Sequence, residues 1–367
     1  MTLILNNDDI ASVLTMDITM KALEKAYIEL TRKEAVCRPR VDIQIPTKDP
    51  KKIYQWGTME GGSVSGYFAI RMKSDIIYEQ EYNGTRSQEK YCVRPGKFCG
   101  LIFLINIENG EPVALINDGY LQHMRVGADS GIGVKYMAKE DSCVVGMIGS
   151  GGMARSHMEA FSLVRNIKRV QVYSPTKKHC EQFAEEITEK YGVEAVVMSY
   201  PKDVYCGADI VAGCTDSTEP IIIGEWLADG THITCVGGKP DDDTVGRIDV
   251  MLRFGNAPGP WGLPDFALAD EYLTYAAMPN ENAKFRMKQA EKRGHGVIAE
   301  DRAVFLEELL TGKKKGRSSP KQITYSERGN IQGAQFFAVA GKAYELAKEK
   351  GLGREIPTDW LLQDIRD

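Results

Sequence analysis

The hexapeptide Gly149-Ser150-Gly151-Gly152-Met153-Ala154 is the densest point of potential chemistry in this 367-residue sequence. It follows an apolar run, Val144-Val145-Gly146-Met147-Ile148, and opens a stretch with helical spacing. That is a GxGxxA pattern between a strand and a helix. The first glycine permits the tight turn, the second lets a pyrophosphate approach the backbone, and the small last residue lets helix and strand pack closely. The free N–H groups and positive partial charge of the helix start suit phosphate. A nicotinamide dinucleotide is therefore the expected cofactor. If the ribose 2′-hydroxyl were read, the next strand would end in Asp or Glu. It ends instead in Tyr173-Ser174-Pro175-Thr176-Lys177-Lys178. Ser174 and Thr176 can hydrogen-bond a 2′-phosphate and Lys177 can pair with it, so NADP(H) is favoured over NAD(H).

The elements around this turn alternate. Strand-like runs at 143–148, 170–173, 195–198, 210–214, 233–236 and 250–254 are separated by helical patterns such as 153–164 and 178–191. That rhythm predicts an α/β fold with a doubly wound, Rossmann-type parallel sheet. The chain before it reads differently. A helical pattern at 17–33 precedes strands at 41–45, 67–73, 101–105 and 112–116, the last two joined by the hairpin signal Asn109-Gly110. This predicts an α+β unit with an antiparallel or mixed sheet. The polar stretch 79–97 predicts a loop, and the small-residue run 128–139 a helix. A final helix over 334–350 has a long apolar face and is expected to pack back on the first unit. The expected organisation is a Rossmann domain, 128–319, inserted in a unit formed by 1–127 plus 320–367.

Composition narrows the function classes. Net charge is −5, against the basic surface of a nucleic-acid binder. No apolar run approaches membrane-spanning length. The eight cysteines are scattered without a CxxC pair, which reads as reduced thiols in a cytoplasmic protein. Five histidines leave little room for a multi-histidine metal site, and none is expected. No HExxH or Walker pattern is present.

Residues 101–138, LIFLINIENGEPVALINDGYLQHMRVGADSGIGVKYMA, run directly into the GxGxxA turn. Together with Arg40 in RPRVDI, Lys73 in AIRMKS, the CTDSTEPII stretch and Ser326-x-x-Gly329, they resemble the ornithine cyclodeaminase/mu-crystallin family. The resemblance implies a Rossmann domain inserted in a substrate-binding domain that dimerises through its sheet. It also implies a substrate carboxylate and α-nitrogen surrounded by Arg40, Lys73 and Arg125, and a cofactor site that includes Cys214, Thr215, Val236, Gly237 and Ser326. The physics agrees for the substrate groups. A guanidinium holds a carboxylate with two parallel bonds, and a neighbouring lysine of lowered pKa can act as a proton source.

Alternation along a strand adds two candidates. His123 and Arg125 would share a face, as would Arg71 and Lys73, so His123 and Arg71 are further substrate contacts. Trp56 and Met59 match the edge of the family's substrate pocket, although core packing explains them equally.

The chain departs from the family pattern at three places. Gln122 stands for a threonine, Lys239 for the aspartate that cyclodeaminases carry after the fifth strand, and Gly333 for a C-terminal aspartate. Ligands sit beyond the carboxyl ends of strands in such sheets, so the Gly238-Lys239-Pro240 turn is expected to face the substrate. A lysine there opposes an ammonium-bearing diamino acid by roughly 4 kcal/mol at about 4 Å and an effective dielectric near 20. Asp241, Asp242 and Asp243 could restore a carboxylate if the loop shifts. The expected activity is reduction of the imine of a 2-oxo acid, or oxidation of the matching amino acid, with Lys73 and Lys239 as proton-handling groups. Ring-closing deamination of a diamino acid and dinucleotide binding without turnover are the alternatives.

Overall fold

The computed structural model describes residues 1–82, 84–258, 272–277, 300–327 and 329–365. The chain opens with β1 (Thr2–Leu5), α1 (Asn7–Ala11) and α2 (Met16–Thr31). Strands β2 (Ala35–Cys37), β3 (Arg40–Pro46), β4 (Ile53–Ser63), β5 (Tyr67–Tyr82), β6 (Thr85–Tyr91), β7 (Cys99–Asn106) and β8 (Pro112–Asn117) follow, then α3 (Gly119–Met137). Next come β9 (Val144–Ile148), α4 (Gly152–Val164), β10 (Arg169–Tyr173), α5 (Lys177–Tyr191), β11 (Glu194–Val197), β12 (Ile210–Gly213), β13 (Pro220–Ile222), β14 (His232–Cys235) and β15 (Lys239–Pro240). The rest is α6 (Asp242–Arg247), β16 (Val250–Arg253), β17 (Tyr272–Ala276), β18 (Ala303–Phe305), α7 (Leu306–Leu310), β19 (Thr324–Glu327), α8 (Gln332–Glu349) and β20 (Arg354–Ile356).

Two sheets organise these elements. The first is mixed, in the order β17-β3-β4-β5-β7-β8-β1-β20, with β2 on β4 and β6 on β5. One face packs on α2, α3 and α8, where Leu23, Tyr27, Ile132, Phe336 and Ala340 meet Met59, Ala69, Ile102 and Leu104. The other face is apolar and half exposed: Ile43, Ile45, Leu273 and Tyr275 keep 43%, 45%, 37% and 60% of their surface. The second sheet, β11-β10-β9-β12-β14-β19-β16-β18, is parallel throughout. Its strands are near-continuous buried runs such as Ile210–Gly213, as expected where helices cover both faces. Because β19 pairs between β14 and β16, this sheet extends past residue 319, and α3 runs across position 128.

Three local expectations are corrected. The helix expected from 128 begins at Gly119, so His123 and Arg125 lie on a helix rather than a strand. Leu121, Met124, Arg125 and Ala128 are buried at helical spacing in its first half, and from Met124 to Val134 every residue is buried. Residues two apart on a helix point about 200° apart, and the two side chains go different ways. The stretch 79–97 is largely the end of β5 paired with β6, a hairpin arm whose polarity reflects its projection off the sheet. The arm reaches the parallel-sheet unit: Gln88 N donates to Asp216 O at 3.2 Å and Thr218 N to Arg86 O at 3.1 Å. The small-residue character of α3 has a packing cause, since Gly127 and Gly131 let it lie directly on Ser156 and Ala160 of α4. Among the described residues no helix is long and apolar enough to cross a membrane.

Candidate active site

The GxGxxA turn has the conformation its glycines predict. Gly149 lies at φ +106°, and a Cβ there would run into the Cys214 carbonyl, so the end of β12 presses on the turn. Nothing lies within 4 Å of where a Gly151 Cβ would be. This leaves an open cradle at the head of α4, the shape a diphosphate requires, and Ala154 is fully buried where helix meets strand. Ser150 and Met153 complete the turn. At the end of β10, Thr176 and Lys177 are exposed and Ser174 is half buried. Lys177 faces Glu181 at 3.6 Å, an exposed pair of little energetic weight.

His123 belongs beside this turn. A Cβ on Gly152 would sit 2.8 Å from its Nε2, so the imidazole rests against the third glycine. Covered on that side, the ring has a pKa held below the usual histidine value, with Asp118 opposing the shift. Beyond β12 and β14, Thr215 Oγ1 accepts from Ser217 N at 3.2 Å and the Cys235 thiol donates to Gly237 O at 3.0 Å. A small cavity at these strand ends is lined by Asp129, Ser130, Thr234, Val236, Ser326 and Glu327. The dinucleotide-binding residues expected at Cys214, Thr215, Val236, Gly237 and Ser326 thus lie at the carboxyl ends of the parallel strands or in the loops after them.

The substrate candidates come together on the covered face of the mixed sheet. The register places Asp42, Gly57, Lys73 and Gly100 in one row across β3, β4, β5 and β7. Arg40, Met59 and Arg71 occupy the neighbouring row on the same face. Arg40 Nε pairs with Asp42 Oδ1 at 2.8 Å, Lys73 Nζ with Asp75 Oδ2 at 2.5 Å, and Arg71 Nε with Asp118 Oδ2 at 2.5 Å. The two glycines create the space. A Cβ on Gly57 would meet Asp42 Oδ1 at 2.6 Å and Lys73 Cε at 3.0 Å, and one on Gly100 would occupy the Asp118 carboxylate. Lys73 is therefore flanked by carboxylates rather than side chains of its neighbours in the row.

Burial, then the nearby Arg40 charge, lowers the Lys73 pKa to about 7, against the opposing pull of Asp75 and Asp42. The amine can hold or release a proton near neutral pH, as a group that handles a proton in catalysis must. Arg125 reaches the same region from α3. Its guanidinium is buried, bonded to Gln122 Oε1 and Gln335 Oε1, with Cζ 4.8 Å from the Phe336 ring centre. Arg71 Cζ lies 5.5 Å from that ring, so one phenyl group joins the sheet arginine to the helix arginine. Met59 is buried in the core, whereas Trp56 pairs with Ser74 on the opposite, half-exposed face.

The profile of the ornithine cyclodeaminase/mu-crystallin family matches residues 72–255. The chain belongs to this family. The Δ1-pyrroline-2-carboxylate reductase of Bacillus cereus is 29% identical over 263 residues, 70% of this chain and 74% of its own length. The alanine dehydrogenase of Archaeoglobus fulgidus is 27% identical over 356 residues, covering 97% and 98%. Thermococcus litoralis Δ1-pyrroline-2-carboxylate reductase, solved with NADH and L-proline, superposes with a TM-score of 0.73 at 26% identity, covering 97% of this chain and all of that one.

Family membership makes the departures informative. Lys239 is exposed. Asp241 is occupied as the cap of α6, accepting from Gly224 N at 3.0 Å, Thr244 N at 2.8 Å and Thr244 Oγ1 at 2.6 Å. Asp242 and Asp243 are exposed. Gly333 sits against the Glu60 backbone of β4, where a side chain has no room. Arg71 is buried, and it is ion-paired with Asp118 as Arg40 is with Asp42. Sequence reasoning missed Asp42, Asp75, Asp118 and the two glycines that seat them. Among the described residues no group of three or more His, Cys, Asp or Glu is arranged to hold a metal ion.

Proposed function

We propose that this chain, an NAD(P)-dependent oxidoreductase of the imine-reductase and amino-acid-dehydrogenase type, reduces the imine of a 2-oxo acid to the amino acid. The observation that carries this reading is Lys73, largely enclosed between Gly57 and Gly100 with its pKa lowered to about 7 beside Arg40, Asp42 and Asp75. Arg125 and Arg40 hold the substrate carboxylate by charge-assisted bonds. Lys73 delivers a proton to the nitrogen in reduction and takes one from the amine in oxidation. The bound dinucleotide supplies or accepts the hydride. Gly151, Gly152 and the first amides of α4 hold its diphosphate, with His123 alongside.

NADP(H) is the preferred cofactor on this reading, since β10 ends in Ser174, Thr176 and Lys177 and presents no carboxylate to a 2′-phosphate. The Thermococcus relative binds NADH, so a preference rather than an absolute choice is expected. The half-exposed apolar face of the mixed sheet fits a second copy of the chain, as a homodimer. Eight free thiols are in keeping with a reducing, cytoplasmic compartment. Ring-closing deamination finds less support, because the carboxylates at 241–243 are a helix cap and two exposed side chains.

The test is a screen of NADPH oxidation against pyruvate and other 2-oxo acids with ammonia or methylamine, and against Δ1-pyrroline-2-carboxylate. Turnover with one of these, and no ammonia from ornithine with catalytic dinucleotide, is the expected result. Proline and ammonia from ornithine at a rate matching any imine reduction would overturn it.

A further inference from the structure

A chain of buried polar groups runs through the helical layer to Arg125. Tyr27 of α2 is fully buried and stacks on Phe254 at 5.4 Å. Its hydroxyl donates to Asp129 Oδ1 at 2.5 Å. The Tyr27 phenol oxygen accepts in turn from Gln335 Nε2 of α8 at 2.8 Å. Gln335 Oε1 accepts from Arg125 Nη1 at 2.5 Å. Arg125 and Asp129 stand one turn apart on α3, so the chain leaves that helix and returns to it.

The direction of each bond is dictated by chemistry. An ionised carboxylate only accepts, so the Tyr27 proton points at Asp129. The phenol oxygen then has lone pairs left for Gln335, and only the amide NH2 end can use them. With its nitrogen committed, Gln335 presents its oxygen to the guanidinium. The opposite amide orientation would set donor against donor at Arg125 and acceptor against acceptor at Tyr27. Burial raises the cost of leaving any member unmatched.

We propose that Asp129, Tyr27 and Gln335 are positioning residues that fix the Arg125 guanidinium for the substrate carboxylate. The inference rests on Arg125 binding that carboxylate. The relay begins at Asp129, which also lines the small cavity at the ends of β14 and β19. Substrate orientation is thereby tied to a residue on the dinucleotide side of the cleft.

The test is Tyr27→Phe in the full-length protein, alone and with Arg125→Ala, assayed with the imine probe that turns over best. The ring and its stacking on Phe254 remain, so packing is retained. Loss of one orienting hydrogen bond is expected to raise KM about fivefold, with kcat nearly unchanged and NADPH affinity unaltered. In the Arg125→Ala background Tyr27→Phe is expected to have no further effect on kcat/KM. Gln335→Glu is the second variant: its carboxylate competes for Arg125 and is expected to raise KM more than Tyr27→Phe does. If Arg125→Ala keeps the wild-type KM, the substrate-binding reading fails. If Arg125→Ala raises KM while Tyr27→Phe and Gln335→Glu leave it unchanged, the relay alone is refuted. Equal losses from Tyr27→Phe in both backgrounds refute it too, because they indicate a general structural role.

Discussion

Gly57→Ala tests the arrangement around Lys73 with a single methyl group. That methyl would lie 3.0 Å from Lys73 Cε and 2.6 Å from Asp42 Oδ1. Carbon atoms rest at about 3.5–4.0 Å, so Lys73 Cε has to retreat by roughly 0.5–1 Å. It has no free direction, since Asp75 holds the ammonium at 2.5 Å and the Asp118 carboxylate fills the space over Gly100. Overpacking of this kind costs about 1–3 kcal/mol of stability, which a chain of this size can absorb. The rate is more sensitive: a displacement of about 1 Å at a reacting group lowers it by about 100-fold. Initial rates of NADPH oxidation with the best imine probe are therefore expected to show kcat down by about one to two orders of magnitude. NADPH titration by fluorescence should give the wild-type affinity, because the GxGxxA turn belongs to the other sheet. Wild-type kcat in the folded variant would refute the claim that Lys73 handles the proton from this position.

Other outcomes follow from the same geometry. The Lys73 pKa is lowered to about 7, so its ammonium form is lost as pH rises through 7. Imine reduction should fall in kcat/KM across that range and amino-acid oxidation should rise, and a reduction rate flat from pH 6 to 8 would exclude Lys73 as the donor. Arg40→Ala removes a like charge and should move the same limb to higher pH. His123→Ala should weaken NADPH binding without changing the substrate KM, whereas the reverse would make His123 the substrate contact expected from strand alternation. Lys177→Ala should narrow the ratio of NADPH to NADH affinity, and equal dissociation constants in the unmutated protein would end the case for NADP(H).

The parallel sheet and its turn were legible because each strand is an apolar run and the GxGxxA pattern sits between strand and helix. The carboxylates beside the cations were legible in principle but overlooked. Arg40-Val41-Asp42 and Lys73-Ser74-Asp75 each place a base and an acid two residues apart, which on a strand is one face. Gly57 and Gly100 carried no local signal, because their role appears only when four strands are in register. The position of His123 depends on the period: read as a strand, it shares a face with Arg125, and on the helix it lies against Gly152. Tyr27 and Gln335 are 308 residues apart in sequence and meet only through the packing of α2 on α8. The polar hairpin arm looked like a loop because both of its strands carry charged residues at positions that meet solvent.

That arm joins the two sheets through peptide groups. Gln88 and Thr218 contribute their amide hydrogens, Asp216 and Arg86 their carbonyls, and the Ser87–Ser217 bridge lies between them. The Ser87 and Thr218 hydroxyls and the exposed Lys90–Asp216 pair add to this joint, but the peptide contacts themselves are indifferent to side-chain identity. The sequences on either side can drift, altering which substrate or which dinucleotide is admitted, while the seam between them persists. Proline is the exception, because at position 88 or 218 it would delete a donor outright.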